Sequence, residues 1–171
     1  MTHQLNFIYN DSDWIAPAEY PDLSQATEIA IDLETKDPNI KTKGPGWATF
    51  DGHIVGFAVA ALGQQWYFPI AHDAGGNMDL SITCAWMQDI LKTDATKIFH
   101  NASYDVGWLL VNGFEIRGKI VDTMIAAAII NENRFSFSLN ACAKDYLGEI
   151  KNETFLNEKA KEWGIDPKAD M

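Results

Sequence analysis

The sequence predicts an α/β layer fold built on a mixed sheet, and three observations predict it. Short apolar runs rich in β-branched residues, separated by turn residues, open the chain. Beyond about residue 80 the apolar period lengthens to the three or four of a helix. In that second part short strand-like runs alternate with helical stripes, the pattern that places helices against a sheet.

Residues 1–27 mix Asp, Pro and aromatics without a period and read as an irregular lead-in to a domain spanning 28–171. Residues 28–33 (EIAIDL) carry β-branched isoleucines at 29 and 31 and predict a buried strand. Residues 36–52 hold Pro38, Pro45, Asn39, Gly44, Gly46 and Gly52, and predict a loop. Two strands follow, 53–62 and 65–70, with Gly63-Gln64 placed for a tight hairpin. The first three strands are therefore expected as antiparallel neighbours.

Apolar residues at 82, 86, 87, 90 and 91 predict a helix over 80–92, and 97–99 a short strand. Val106, Leu109 and Leu110 restart the helical period, which Gly113 stops. Residues 124–130 are apolar nearly all round, which predicts a buried helix. Leu139, Cys142, Ala143, Tyr146 and Leu147 form an amphipathic stripe ended by Gly148, and residues 153–163 predict a last, charged helix before Gly164 and Pro167.

At 171 residues and 47% hydrophobic the chain can bury a substantial single core. It has no basic start followed by an apolar run and no segment of membrane-spanning length, so a soluble, cytoplasmic protein is expected. Cys84 and Cys142 lie far apart without metal-ligand spacing and read as core residues. The net charge of −11, from 13 basic and 24 acidic residues, argues against a stand-alone binder of duplex nucleic acid. It is compatible with a site that grips a short single-stranded end and meets phosphate through bound cations.

The acids are the sharpest feature. In Asp32-Leu33-Glu34 the two carboxylates, two residues apart on a strand, share a face while Leu33 turns inward. Adjacent like charges invite a cation between them. Asn101, between a strand and a helical stripe, is placed as an N-cap, and it puts Asp105 in the first turn, where the helix dipole favours an ionised carboxylate. Three oxygen donors without a His or Cys partner suit Mg²⁺ or Mn²⁺. Two such ions about 3.5–4 Å apart perform in-line displacement at phosphorus.

The segments IAIDLET (29–35), HIVGFAVAA (53–61), YFPIAH (67–72), IFHNASYDVGWLL (98–110), VDTMIAAAIINEN (121–133) and FSLNACAKDYLG (137–148) resemble, in order and spacing, the 3′→5′ exonuclease domain of family A DNA polymerases. The resemblance implies a ribonuclease H-like fold, three antiparallel strands followed by parallel ones, and four acidic ligands for two metal ions. By position it implies that Asp32 bridges the ions, Glu34 binds the metal of the nucleophile and Asp105 helps hold the second. It also sets Thr35 and Asn101 beside the terminal nucleotide of a single-stranded DNA 3′ end. In the family a Tyr or His four residues before the fourth acid follows on a later helix. Here Tyr146 is followed at 150 by Ile, so the domain is expected to be incomplete at its C-terminus, with a polymerase domain or missing segment as its partner.

Two other readings stand beside proofreading: an RNA-trimming enzyme of the ribonuclease D sort, and a catalytically silent binding fragment. Asp122 before Thr123 reads as an N-cap, His100 as a packed or hydrogen-bonded residue, and His72-Asp73 as a solvated turn. Trp47 and Phe50 are candidates for base stacking, whereas Trp66, Trp86, Trp108 and Trp163 read as core or half-buried.

Overall fold

The computed structural model describes residues 15–73 and 75–149, together with Glu158, Lys161 and Glu162. Strands β1 (Glu28–Lys36), β2 (His53–Ala61), β3 (Gln64–Pro69), β4 (Thr96–Phe99) and β5 (Ile120–Asp122) form one sheet in the order β3-β2-β1-β4-β5. Strand β2 runs antiparallel to both its neighbours, β1 and β3, while β4 runs parallel to β1, and β5 parallel to β4. The helices are α1 (Ile40–Lys43), α2 (Gly46–Thr49), α3 (Leu80–Leu91), α4 (Ala102–Val111), α5 (Thr123–Ile130) and α6 (Leu139–Leu147). The mixed sheet and its strand directions are those the sequence predicts.

Alternation along β1 divides the sheet's faces. Ile29, Ile31 and Leu33 are buried, and they join Phe57, Val59, Phe68 and Phe99 of the neighbouring strands in one core. Met87, Ile90 and Leu91 of α3 and Trp108 and Leu109 of α4 complete that cluster. The end of the lead-in belongs to it too: Leu23 and Ala26 are buried, Tyr20 stacks on Phe68 at 5.7 Å, and its hydroxyl meets Thr83 Oγ1 at 2.7 Å. Lys97 of β4 is wholly buried, its ammonium donating to the carbonyls of Thr93 and Arg117. Burial lowers its pKa, against the pull of Asp94.

Several local expectations need correction. Strand β1 runs on to Lys36, because β2 pairs along its whole second half. The 36–52 segment contains α1 and α2, each four residues long. The hairpin turn falls on Leu62-Gly63, whose φ values of 52° and 73° suit the twist of an antiparallel pair. Strand β5, three residues long, is too short to show a period in the sequence. In α5 only Ala127 is buried, while Ile125, Ile129 and Ile130 are exposed. That helix meets β5 with one face, and no described residue covers the rest. In α6 Cys142 is buried, but Leu139 and Leu147 are exposed. Of the helix expected over 153–163, all but Glu158, Lys161 and Glu162 lie outside the described residues, Trp163 included. Among the described residues no helix is long and apolar enough to cross a membrane.

Candidate active site

Asp32 and Glu34 stand on the face of β1 opposite buried Leu33, as the two-residue period requires. The register sets Asp32 across from Ala58 and Ala58 across from Tyr67, while Glu34 lies across from Gly56. Just beyond Glu34 the pairing skips Val55, so Thr35 faces Ile54. Such a bulge re-aims the strand where the acids sit. The carbonyl of Val55 is held by the N–H groups of Ile70 and Ala71, at 2.9 and 3.1 Å.

On the other side of β1 the ladder with β4 ends at Ala30 and Ile98. The first turn of α4 takes over there. Asp105 is buried, 3% exposed, and its Oδ1 accepts from the backbone N–H of Leu33 at 2.9 Å. Burial pushes its carboxyl up to about 7; the charges of Asp32 and, less, Glu34 add to the rise, while the N–H of Leu33 and its own N–H oppose it. Burial thus opposes the ionised form that the helix dipole favours. Asp105 lies where the charges of Asp32 and Glu34 act on it. Among the described residues, however, no three Asp, Glu, His or Cys side chains close round a common cation position.

Asn101 occupies the N-cap position with φ 69°, but its side chain makes no cap bond to the helix. Asp122 of β5 supplies it instead. Its oxygens accept from Asn101 N at 3.1 Å and Ala102 N at 2.8 Å, and also from Met124 N and Ile125 N at the start of α5. Burial raises this carboxyl, yet the backbone donors outweigh it and hold the group below its ordinary value. Thr35 Oγ1 meets the hydroxyl of Tyr104 at 2.8 Å; that hydroxyl also donates to Asp37 Oδ2 at 3.0 Å, which accepts from Gly46 N at 2.8 Å. The sequence reading missed Tyr104 and Asp37; the adjacency of Tyr104 to Asp105 was the available signal.

His72 departs from the solvated turn expected of it. Its Nε2 meets the hydroxyl of Tyr67, with the rings edge to face at 5.8 Å. Burial lowers the pKa of His72, against Asp73, and raises that of Tyr67, to which the charge of Glu34 adds. Asp73 pairs with Lys36 at 2.7 Å in the open, where such a pair contributes little. His100 is hydrogen-bonded through both ring nitrogens, to Thr123 Oγ1 and the carbonyl of Phe137. Trp47 packs on Gly107 of α4, whereas Phe50 is 90% exposed.

This sheet order, with two acids on the central strand and a third on the helix after the next parallel strand, defines the class: a ribonuclease H-like exonuclease fold. Escherichia coli RNase D shares it with a TM-score of 0.53 and 18% identity, over 77% of this chain and 31% of that one. Brucella melitensis NrnC with bound Mg²⁺ gives 0.56 and 16%, over 88% and 82%. The family model of the 3′-5′ exonuclease found with DNA polymerase A matches residues 18–171, and the chain belongs to that family. It is similar to the DNA-directed DNA polymerase of Pseudomonas phage M6, 34% identical over 96% of this chain and 26% of that protein. It is also similar to DNA polymerase DpoZ of Salmonella phage PMBT28, 30% identical over 86% and 21%. The chain spans about a quarter of the length of these relatives.

Proposed function

We propose that this 3′→5′ exonuclease domain removes terminal nucleotides from single-stranded DNA as the proofreading part of a cytoplasmic DNA polymerase. Asp32, Glu34 and Asp105 are its carboxylates for two divalent cations, Mg²⁺ or Mn²⁺. The observation that carries the reading is the placement of three acids at one rim of the sheet: Asp32 and Glu34 share a face of β1, and buried Asp105 accepts from the N–H of Leu33 between them, so that like charges meet there. An all-oxygen donor set of this kind suits hard divalent ions, and a cation is what would relieve the repulsion. Asp32 and Glu34 are exposed, so a cation from solvent can reach their carboxylates. Bound cations would supply Lewis acidity for the attacking water and the departing oxygen. The chain's own share is positional. Leu33 fixes one oxygen of Asp105, Tyr104 fixes Thr35, and Thr35 and Asn101 lie beside the 3′-terminal nucleotide.

The test is digestion of a 5′-labelled single-stranded oligonucleotide with Mg²⁺ or Mn²⁺. Shortening from the 3′ end that stops with EDTA and falls to background in Asp32→Ala is the expected result. Unchanged digestion by Asp32→Ala overturns the assignment, and a chain that neither binds Mn²⁺ nor cuts supports a silent binding fragment. The fold shared with RNase D favours a second substrate, RNA; the phage polymerase relatives favour DNA. DNA and RNA oligonucleotides competing in one digest separate the two.

A further inference from the structure

Tyr67 begins from the row of Asp32 and Ala58 but does not stay in it. Its ring leans over Gly56, in the next row, so closely that a Cβ on Gly56 would collide with the hydroxyl, Cζ and Cε2. Gly56 is the cross-strand partner of Glu34. The missing side chain of a glycine thus makes the space through which a phenol on the third strand reaches toward an acid on the first.

The far side of the phenol is equally determined. His72 Nε2 meets the Tyr67 hydroxyl, and the backbone of His72 is clipped in both directions by Asn77. Asn77 Oδ1 accepts from His72 N at 2.8 Å, and Asn77 Nδ2 donates to the carbonyl of His72 at 2.8 Å. Met78 N, donating to the carbonyl of Pro69 at 2.7 Å, closes the loop onto the end of β3. The two hydrogen bonds that Ile70 N and Ala71 N donate to the carbonyl of Val55 tie that strand end to the bulge beside Glu34.

We propose that Tyr67 is a positioning residue for Glu34: His72 Nε2–H donates to the phenolic oxygen, which leaves the phenolic O–H directed at the Glu34 carboxylate. The chain of two hydrogen bonds holds Glu34 in one orientation for cation binding. Neither Tyr67 nor His72 touches substrate in this scheme. The inference rests on the proposed metal site, and its test separates the two.

Mn²⁺ is titrated into the full chain and the free ion followed by electron paramagnetic resonance, for wild type, Glu34→Gln, Tyr67→Phe, His72→Ala and His72→Gln. Thermal melting of each variant in metal-free buffer accompanies the titrations. The expected result is that Tyr67→Phe melts like wild type but binds Mn²⁺ about 10- to 100-fold more weakly, the range for loss of a group that orients a ligand. His72→Ala shows a similar loss, and His72→Gln, whose amide N–H can still donate to the phenol, recovers part of it. Wild-type affinity in Tyr67→Phe, beside a loss in Glu34→Gln, overturns the positioning role and leaves the metal site standing. Wild-type affinity in His72→Ala, with the loss kept in Tyr67→Phe, overturns the histidine's part. Absence of Mn²⁺ binding by wild type, or full affinity in Glu34→Gln, overturns the metal site and the inference together. Should Tyr67→Phe melt early, the two His72 variants decide, since their change lies at the far end of the relay.

Discussion

The backbone N–H of Leu33 donates to Oδ1 of Asp105 at 2.9 Å, joining residues 72 apart in sequence. The bond continues the edge of β1 where β4 has stopped, so a carboxylate does the work of a missing strand residue. It also draws an acid into the core, and burial of that acid near two others has a measurable cost.

With EDTA present, Asp105→Asn is expected to melt higher than wild type at pH 8, by an amount on the order of a few kcal/mol at most. The folded chain holds this proton up to about 7, against an ordinary 3.8, so it binds the proton more tightly than the unfolded chain does. The group's contribution is therefore full below the unfolded value and is lost as pH rises through about 7. The asparagine keeps the acceptor for Leu33 and removes the charge, so its advantage should shrink between pH 7 and pH 4. Thermal melts across that range check it, and a variant less stable than wild type at pH 8 contradicts it.

Asp122→Ala should destabilise the fold by about 2–4 kcal/mol, because one carboxylate serves two helix starts and each lost cap costs about 1–2 kcal/mol. Its carboxyl is held below the usual range, so the contribution exists above the unfolded pKa and is lost as pH falls through the lower folded value. Urea denaturation at pH 7 and pH 3 should show the deficit narrowing in acid. A deficit equal at both contradicts the charged cap.

Gly107→Ala sets propensity against packing. Alanine in a helix interior gains about 1 kcal/mol over glycine. Here an added Cβ would lie 2.5 Å from ring carbons of Trp47, and overpacking costs about 1–3 kcal/mol. A lower melting temperature is expected, relieved when Trp47→Ala is added. A stabilised single variant would show that α2 moves aside freely.

Legibility in the sequence followed the range over which each feature is determined. Period and turn chemistry are local, which is why the sheet's first three strands, α3, α4 and the shared face of Asp32 and Glu34 could be read directly. The end of β1 could not, because residues 34–36 are held in the strand by β2 rather than by their own preference. Asn101 looked like a cap from its place in the chain, but a longer-range donor set gave that task to Asp122. The exposed isoleucines of α5 show that an apolar segment declares what can be buried and not what is. The raised pKa of Asp105 comes first from burial and then from acids more than 70 positions away, neither of which a local pattern reports.

Lys97 carries the one further consequence of a side chain placed where water does not reach. Its amine is tied to the carbonyls of Thr93 and Arg117, in the segments that lead into β4 and β5, so acylating reagents that label the surface lysines cannot reach it while β4 keeps its neighbours. A modified Lys97 is therefore a mark left on molecules that have come apart, a chemical record of opening written at the centre of the structure.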